Sequence, residues 1–274
     1  MLLQHNFLLR LSAAGLLALS SVSAQQAASP GDTLDLQGKG AEARVWYQKQ
    51  ADGGATPAAN AAAQRSTAMS WAFEGNCAKT LEYEQMVMDY WVTQQQSQPG
   101  NAFYQQGEMA NEGARVCIDS GDLAAAEKWY RKGTELGLRE PGISADRKAL
   151  WEFRLEHALA RLAARRGERA EAAKHVAAAR VALDAMTTSR TAQQAFLPYL
   201  TGYVALYLGD YQTALADLQK ARSDAFIQCL IGQTLEKLGE KDKAMELYRM
   251  AAAARGHNPP AAYGVPFARK KLGL

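Results

Sequence analysis

No stretch of this sequence alternates apolar and polar residues with a period of two over any convincing length, so it carries no signature of a β-sheet. It has no glycine-rich phosphate loop, no Gly-x-Ser-x-Gly elbow, no His-Glu-x-x-His and no Cys-x-x-Cys, the spacings that would announce a nucleotide, an acyl-enzyme, a zinc hydrolase or a redox pair. Charge of one sign is also missing. Thirty-one basic residues face twenty-eight acidic ones, for a net charge of +3, and no basic stripe stands out. That balance argues against a nucleic-acid partner. The absence of a lysine-rich amphipathic segment argues against attachment of the mature chain to a membrane surface. The three cysteines, Cys77, Cys117 and Cys229, fit no metal motif and allow at most one internal pair.

What is present is alanine. Hydrophobic residues make up 48% of the 274 positions, enough to exclude wholesale disorder. Much of that share is alanine, which favours helix and close helix–helix approach over a bulky core. The first 24 residues read as an export signal. Arg10 precedes a short apolar core from Leu11 to Ser20, and Val22-Ser23-Ala24 supplies the small residues of a cleavage site after Ala24. The apolar core is too short to cross a bilayer as a helix. A periplasmic or secreted protein is expected. Residues 25–59, rich in Ala, Gln, Gly, Ser and Pro, read as a loosely ordered leader with room for one short helix over Gly40 to Ala51. Residues 60–274 are nearly all helix signal.

Within those residues one phrase recurs. A Gly is followed by a charged residue, then by Ala five positions after the Gly and an apolar or aromatic residue four further on. Gly121-Asp122 leads to Ala126 and Tyr130, and Gly167-Glu168 leads to Ala172 and Val176. Gly209-Asp210 leads to Ala214 and Leu218, and Gly239-Glu240 leads to Ala244 and Tyr248. Seven residues before each of these glycines stands a small residue: Ala114, Ala160, Gly202 and Gly232. A degenerate fifth unit surrounds Gly75-Asn76. The physics is that of a helical hairpin. The Gly ends helix A, the acidic residue opens helix B, and the small residues let the two helices approach. A single hairpin cannot bury its own apolar face, so hairpins stack.

These residues resemble the tetratricopeptide repeat family, firmly over the last eighty residues and more loosely from Asn60 onward. The resemblance implies an all-α fold: a right-handed α-solenoid of four to five stacked helix-turn-helix hairpins, with Pro260 to Leu274 as a C-terminal capping helix. Pro198 departs from the motif and predicts a kink in its helix. The family binds protein or peptide partners on the concave surface lined by the A helices, without cofactors. Carried over position by position, that groove comprises Asn111 and Arg115, then Arg154, His157, Arg161 and Arg165, then Tyr199, Tyr203 and Tyr207, then Gln233 and Lys237. Arginine forks grip carboxylates, so an extended peptide bearing a carboxylate is the implied ligand. Adjacent hairpins of such a fold bring Cys77 near Cys117, as a disulfide or as two small buried thiols, while Cys229 reads as a free thiol.

Two expectations concern metal and acid–base chemistry. His157 and His175 fall at facing heights of one hairpin, and they read as ordinary histidines rather than as metal ligands. Glu82, Glu84 and Asp89 form the one local acidic cluster and read as a helix surface. The functional expectation is a non-catalytic scaffold or adaptor of the bacterial cell envelope. An enzyme built on helical hairpins, or a self-associating structural module, is the alternative.

Overall fold

The computed structural model describes residues 28–274; the segment read as an export signal lies outside the described residues. Among the described residues there are fourteen helices and no strand. Two short ones come first, α1 (Pro30–Leu36) and α2 (Gly40–Asp52), in the segment read as a leader. α1 opens on a reciprocal cap between Ser29 and Asp32, and α2, with Ala43 and Tyr47 buried, packs on α1 and α3. Five hairpins follow: α3 (Pro57–Phe73) with α4 (Cys77–Thr93), α5 (Pro99–Ser120) with α6 (Leu123–Leu138), and α7 (Ala145–Arg165) with α8 (Arg169–Ala185). After the five-residue α9 (Arg190–Gln194) come α10 (Leu197–Tyr207) with α11 (Tyr211–Leu218), then α12 (Ala225–Lys237) with α13 (Lys241–Ala252). The last element is α14 (Pro259–Leu272). The array is an all-α solenoid.

Each recurring residue does what its chemistry suggests. Gly75, Gly121, Gly167, Gly209 and Gly239 all have positive φ, and each lies one or two residues past the end of a helix A. That left-handed turn costs a side-chain-bearing residue and not a glycine. Asp122 and Asp210 cap helix B by accepting from the backbone N–H groups of Ala125 and Thr213, while Glu168 and Glu240 occupy the same cap without a side-chain bond. Ala114, Ala126, Ala160, Ala172, Ala214 and Ala244 are fully buried. A methyl group on Gly232 would sit 2.5 Å from the Tyr248 ring, and one on Gly202 would sit 2.7 Å from Leu218, so these glycines make room for the partner residue of helix B.

The junction of the second and third hairpins is tighter still. Trp151 is fully buried, and a Cβ built on Gly137 would lie 2.0 Å from its indole ring. In an open helix Gly→Ala gains about 1 kcal/mol. Gly137→Ala is expected to reverse that sign and destabilise by about 1–3 kcal/mol, because the ring has nowhere to go. Gly100→Ala is the control: a methyl group there meets nothing nearer than 3.7 Å. Urea midpoints of the two variants check the difference.

Pro198 does not kink its helix. It stands in the first turn of α10, where a missing N–H is no loss, and the chain bends before it through α9. Glu84 is a second departure. It is not on a helix surface but fully buried on α4. Burial, with Glu112 nearby, pushes its carboxyl well above the usual range, and Arg65 offsets this only in part.

α14 caps the last hairpin and reaches further. It packs on α12 and α13 and also on α3 and α5, the A helices at the other end of the array. Ala261, Ala262 and Val265 join Met69, Ala72, Phe73 and Val116 in one apolar cluster. The solenoid therefore curls until its two ends meet, with α14 lying between A helices on the inner face.

Candidate functional site

The A helices present their polar stripe to this inner face, and a pocket of about 270 Å³ opens there. Six of the eleven expected groove positions line it: Asn111, Arg115, Arg154, His157, Arg161 and Tyr199. Glu108, Glu112, Tyr130, Phe153, Gln193, Phe196 and Pro259 complete the wall. The pocket thus draws on α5, α6, α7, α9 and α10 and on the start of α14.

Its floor is an arginine held by two phenols. Arg161 is 4% exposed. It donates one terminal N–H to the hydroxyl of Tyr199 and another to the hydroxyl of Tyr130, both at 2.8 Å. The three rings of Tyr130, Tyr199 and Tyr203 flank its guanidinium at 5.5–5.8 Å. Sequence alone places Arg161 in a solvated groove; the closed curl of the array instead makes it part of the interior. His157 is equally sheltered, its ring 5.0 Å from that of Tyr199. Burial, with Arg161 and Arg115 nearby, drives its pKa well below the usual value, so it is neutral. It does not meet His175, which pairs instead with Glu156 at 2.6 Å. Among the described residues no group of three or more His, Cys, Asp or Glu side chains is placed to hold a metal ion.

The other groove positions divide. Arg165 donates to the Ile118 carbonyl at 2.8 Å and to the Tyr203 hydroxyl at 3.4 Å, and stacks on Tyr207. Tyr203 is fully buried, and Tyr207 lies against it at 4.5 Å. Gln233 donates to the Tyr263 hydroxyl of α14 at 3.4 Å. Lys237 is exposed at the end of α12. The Asn111 carbonyl oxygen turns toward Gly133 of the neighbouring helix rather than into open space. Arg154 is paired with Glu108 and also reaches Tyr104. Glu112 is paired with Arg65 at 2.6 Å. The carboxylates that line the pocket are therefore both engaged by arginines. Arg115 differs: among the described residues it has no hydrogen-bond or ion-pair partner, and its guanidinium lies over the face of the Phe226 ring, 4.8 Å away.

One turn beyond Arg115 on the same helix is Asp119, half-buried between Arg115, Arg161 and Arg165. Burial raises its pKa to about 6, and the three arginines only moderate the rise. The unfolded value is about 3.9, so between pH 4 and 6 the native chain binds this proton more tightly than the unfolded one. The contribution of Asp119 to stability is thus greatest below about pH 4 and declines as pH rises toward 6. Asp119→Asn is expected to remove that slope from a plot of urea midpoint against pH.

Sequence reasoning missed a second polar cluster, at the seam where the two ends meet. His257, just before α14, pairs with Asp35 of α1 at 2.9 Å and lies 3.5 Å from Asp32. Tyr47 donates to Asp32 at 2.8 Å, Ser70 donates to Asp35 at 2.6 Å, and the imidazole stacks on Phe73. No spacing signals this contact, because Asp35 and His257 are 222 residues apart. Cys77 and Cys117 are joined by a disulfide, and Cys229 is a free, buried thiol that donates to the Gly264 carbonyl.

Comparison with known proteins follows the geometry. Residues 227–255, the hairpin α12–α13, match the model of the tetratricopeptide repeat. No curated protein matches the chain significantly. Among solved structures the chain is similar to a tetratricopeptide repeat protein from Parabacteroides merdae, at 18% identity over 88% of this chain and 81% of that one, with a TM-score of 0.46. Hairpin α12–α13 thus matches a tetratricopeptide repeat, and the three hairpins before it carry the same glycine and alanine pattern in the same places.

Proposed function

We propose that this protein is a non-catalytic scaffold or adaptor of the bacterial cell envelope, exported by its first 24 residues and binding a segment of a protein partner along its inner face. Tetratricopeptide repeats suggest protein interaction as the general role. The observation that carries the finer reading is the convergence of six helix-A positions on one inner-face pocket. α14 already covers the part of that face formed by α3, α5 and α12, so the partner would follow what remains uncovered. Arg154 and Lys237 are the cations of the stripe that can be changed without entering the interior. The test is capture from envelope extract by the chain from Gln25 onward, beside an Arg154→Glu/Lys237→Glu variant with an unchanged melting curve. A discrete partner retained by the native chain and lost by the variant supports the reading. Identical captures from both forms overturn it.

A further inference from the structure

The inner-face pocket contains more hydrogen-bond donors than acceptors for them. Tyr130 and Tyr199 each accept from Arg161, and among the described residues neither hydroxyl proton has an acceptor. A phenol that accepts from a guanidinium is polarised toward donation, since the cation draws charge from its oxygen. Neighbouring nitrogens of one guanidinium hold the two oxygens side by side. Arg115 adds a cation that no carboxylate engages by a direct ion pair, Asp119 lying one turn away, and its buried Nε is without a partner. His157 is 7% exposed, and its Nε2 is likewise buried and without a partner. Buried polar groups left unpaired cost about 1–3 kcal/mol each, so a group that satisfied several at once would be held firmly.

The remaining wall limits the size and nature of that group. Phe153, Phe196 and Pro259 are apolar. A space of about 270 Å³ falls at the lower end of small-molecule sites, where about 300 Å³ is the usual minimum. We propose that the pocket is a binding site for a small organic acid with a compact apolar body, its carboxylate taking the Tyr130 and Tyr199 hydroxyls and the Arg115 guanidinium, and its body lying against Phe153, Phe196 and Pro259. Each carboxylate oxygen can accept two bonds, so one carboxylate serves all three donors. The ligand is distinct from the protein partner proposed above and would lie beneath it.

Calorimetric titration of the purified full chain with phenylacetate tests this without any partner present. One site per chain is expected, with phenylacetamide, which keeps the ring and loses the charge, at least about tenfold weaker. Inorganic phosphate, a charge without an apolar body, should also be at least about tenfold weaker. Arg115→Gln removes this cation without breaking a direct ion pair, and Tyr199→Phe removes one hydroxyl and keeps the ring. Each should weaken phenylacetate about tenfold, with the exposed Lys220→Gln, outside the pocket, unchanged as the control. Unchanged melting curves in the absence of ligand separate lost binding from lost fold. Absence of phenylacetate binding, equal affinity for the amide or for phosphate, or full affinity in Arg115→Gln would overturn the proposal. Because no partner enters the titration, failure of the partner capture leaves its result unaffected.

Discussion

Arg161→Met is expected to destabilise the protein by on the order of 3 kcal/mol, and most of that loss should return when Tyr130→Phe and Tyr199→Phe are added to it. The argument rests on what the arginine leaves behind. Methionine fills much of the volume and removes a charge that is costly to bury, which by itself would be close to neutral or favourable. The Tyr130 and Tyr199 hydroxyls, however, each lose their donor at 2.8 Å in an interior with little water to replace it. Two orphaned hydroxyls at about 1–3 kcal/mol each outweigh the relief of removing the charge. Removing the hydroxyls as well eliminates that penalty. Urea unfolding of the four-member set gives the coupling directly. A single Arg161→Met variant as stable as the native chain would show that the charge, not the phenols, dominates this site.

The same residue shows where sequence reasoning stops. The repeat pattern located five helix-A glycines and the small residues that let helix B approach, because each is decided within a dozen residues by backbone conformation and contact distance. Of the eleven groove positions, six meet at one pocket. Their burial was not legible. Whether Arg161 faces water or the interior depends on the cumulative rotation of successive hairpins, a sum of small angles that no local pattern encodes. The curl brings α14 against α3 and α5 and encloses Arg161. The seam shows the same limit. Asp35 looks like one acid in a low-complexity stretch until His257 arrives from the far end of the chain to pair with it. Glu84 illustrates a different gap. In sequence it is one charge among several on an amphipathic helix, and only the placement of α5 shows that it is sealed in, its carboxyl pushed well above the usual range.

Reduction of the Cys77–Cys117 disulfide is expected to cost about 4 kcal/mol, the largest single effect predicted for this chain. The bond closes a loop of 40 residues, and the entropy it removes from the unfolded chain grows with the logarithm of that number. Its position decides how the loss appears. Cys77 begins α4 and Cys117 lies near the end of α5, so the bond ties the first hairpin to the second inside the cluster of Ala114, Ile118, Ala126, Tyr130 and Leu162. In a stacked array stability is the sum of local terms and nearest-neighbour interfaces, so loss of one tie loosens the hairpin it held before the rest. Hydrogen exchange in α3 and α4 should therefore accelerate on reduction by a larger factor than exchange in α7 or α12. Cys229 cannot confound the result, since its thiol is free in both states. A Cys77→Ala/Cys117→Ala variant should match the reduced chain and be indifferent to reductant. If reductant leaves both the urea midpoint and the exchange in α4 of the native chain unchanged, the bond does not contribute to stability in this way.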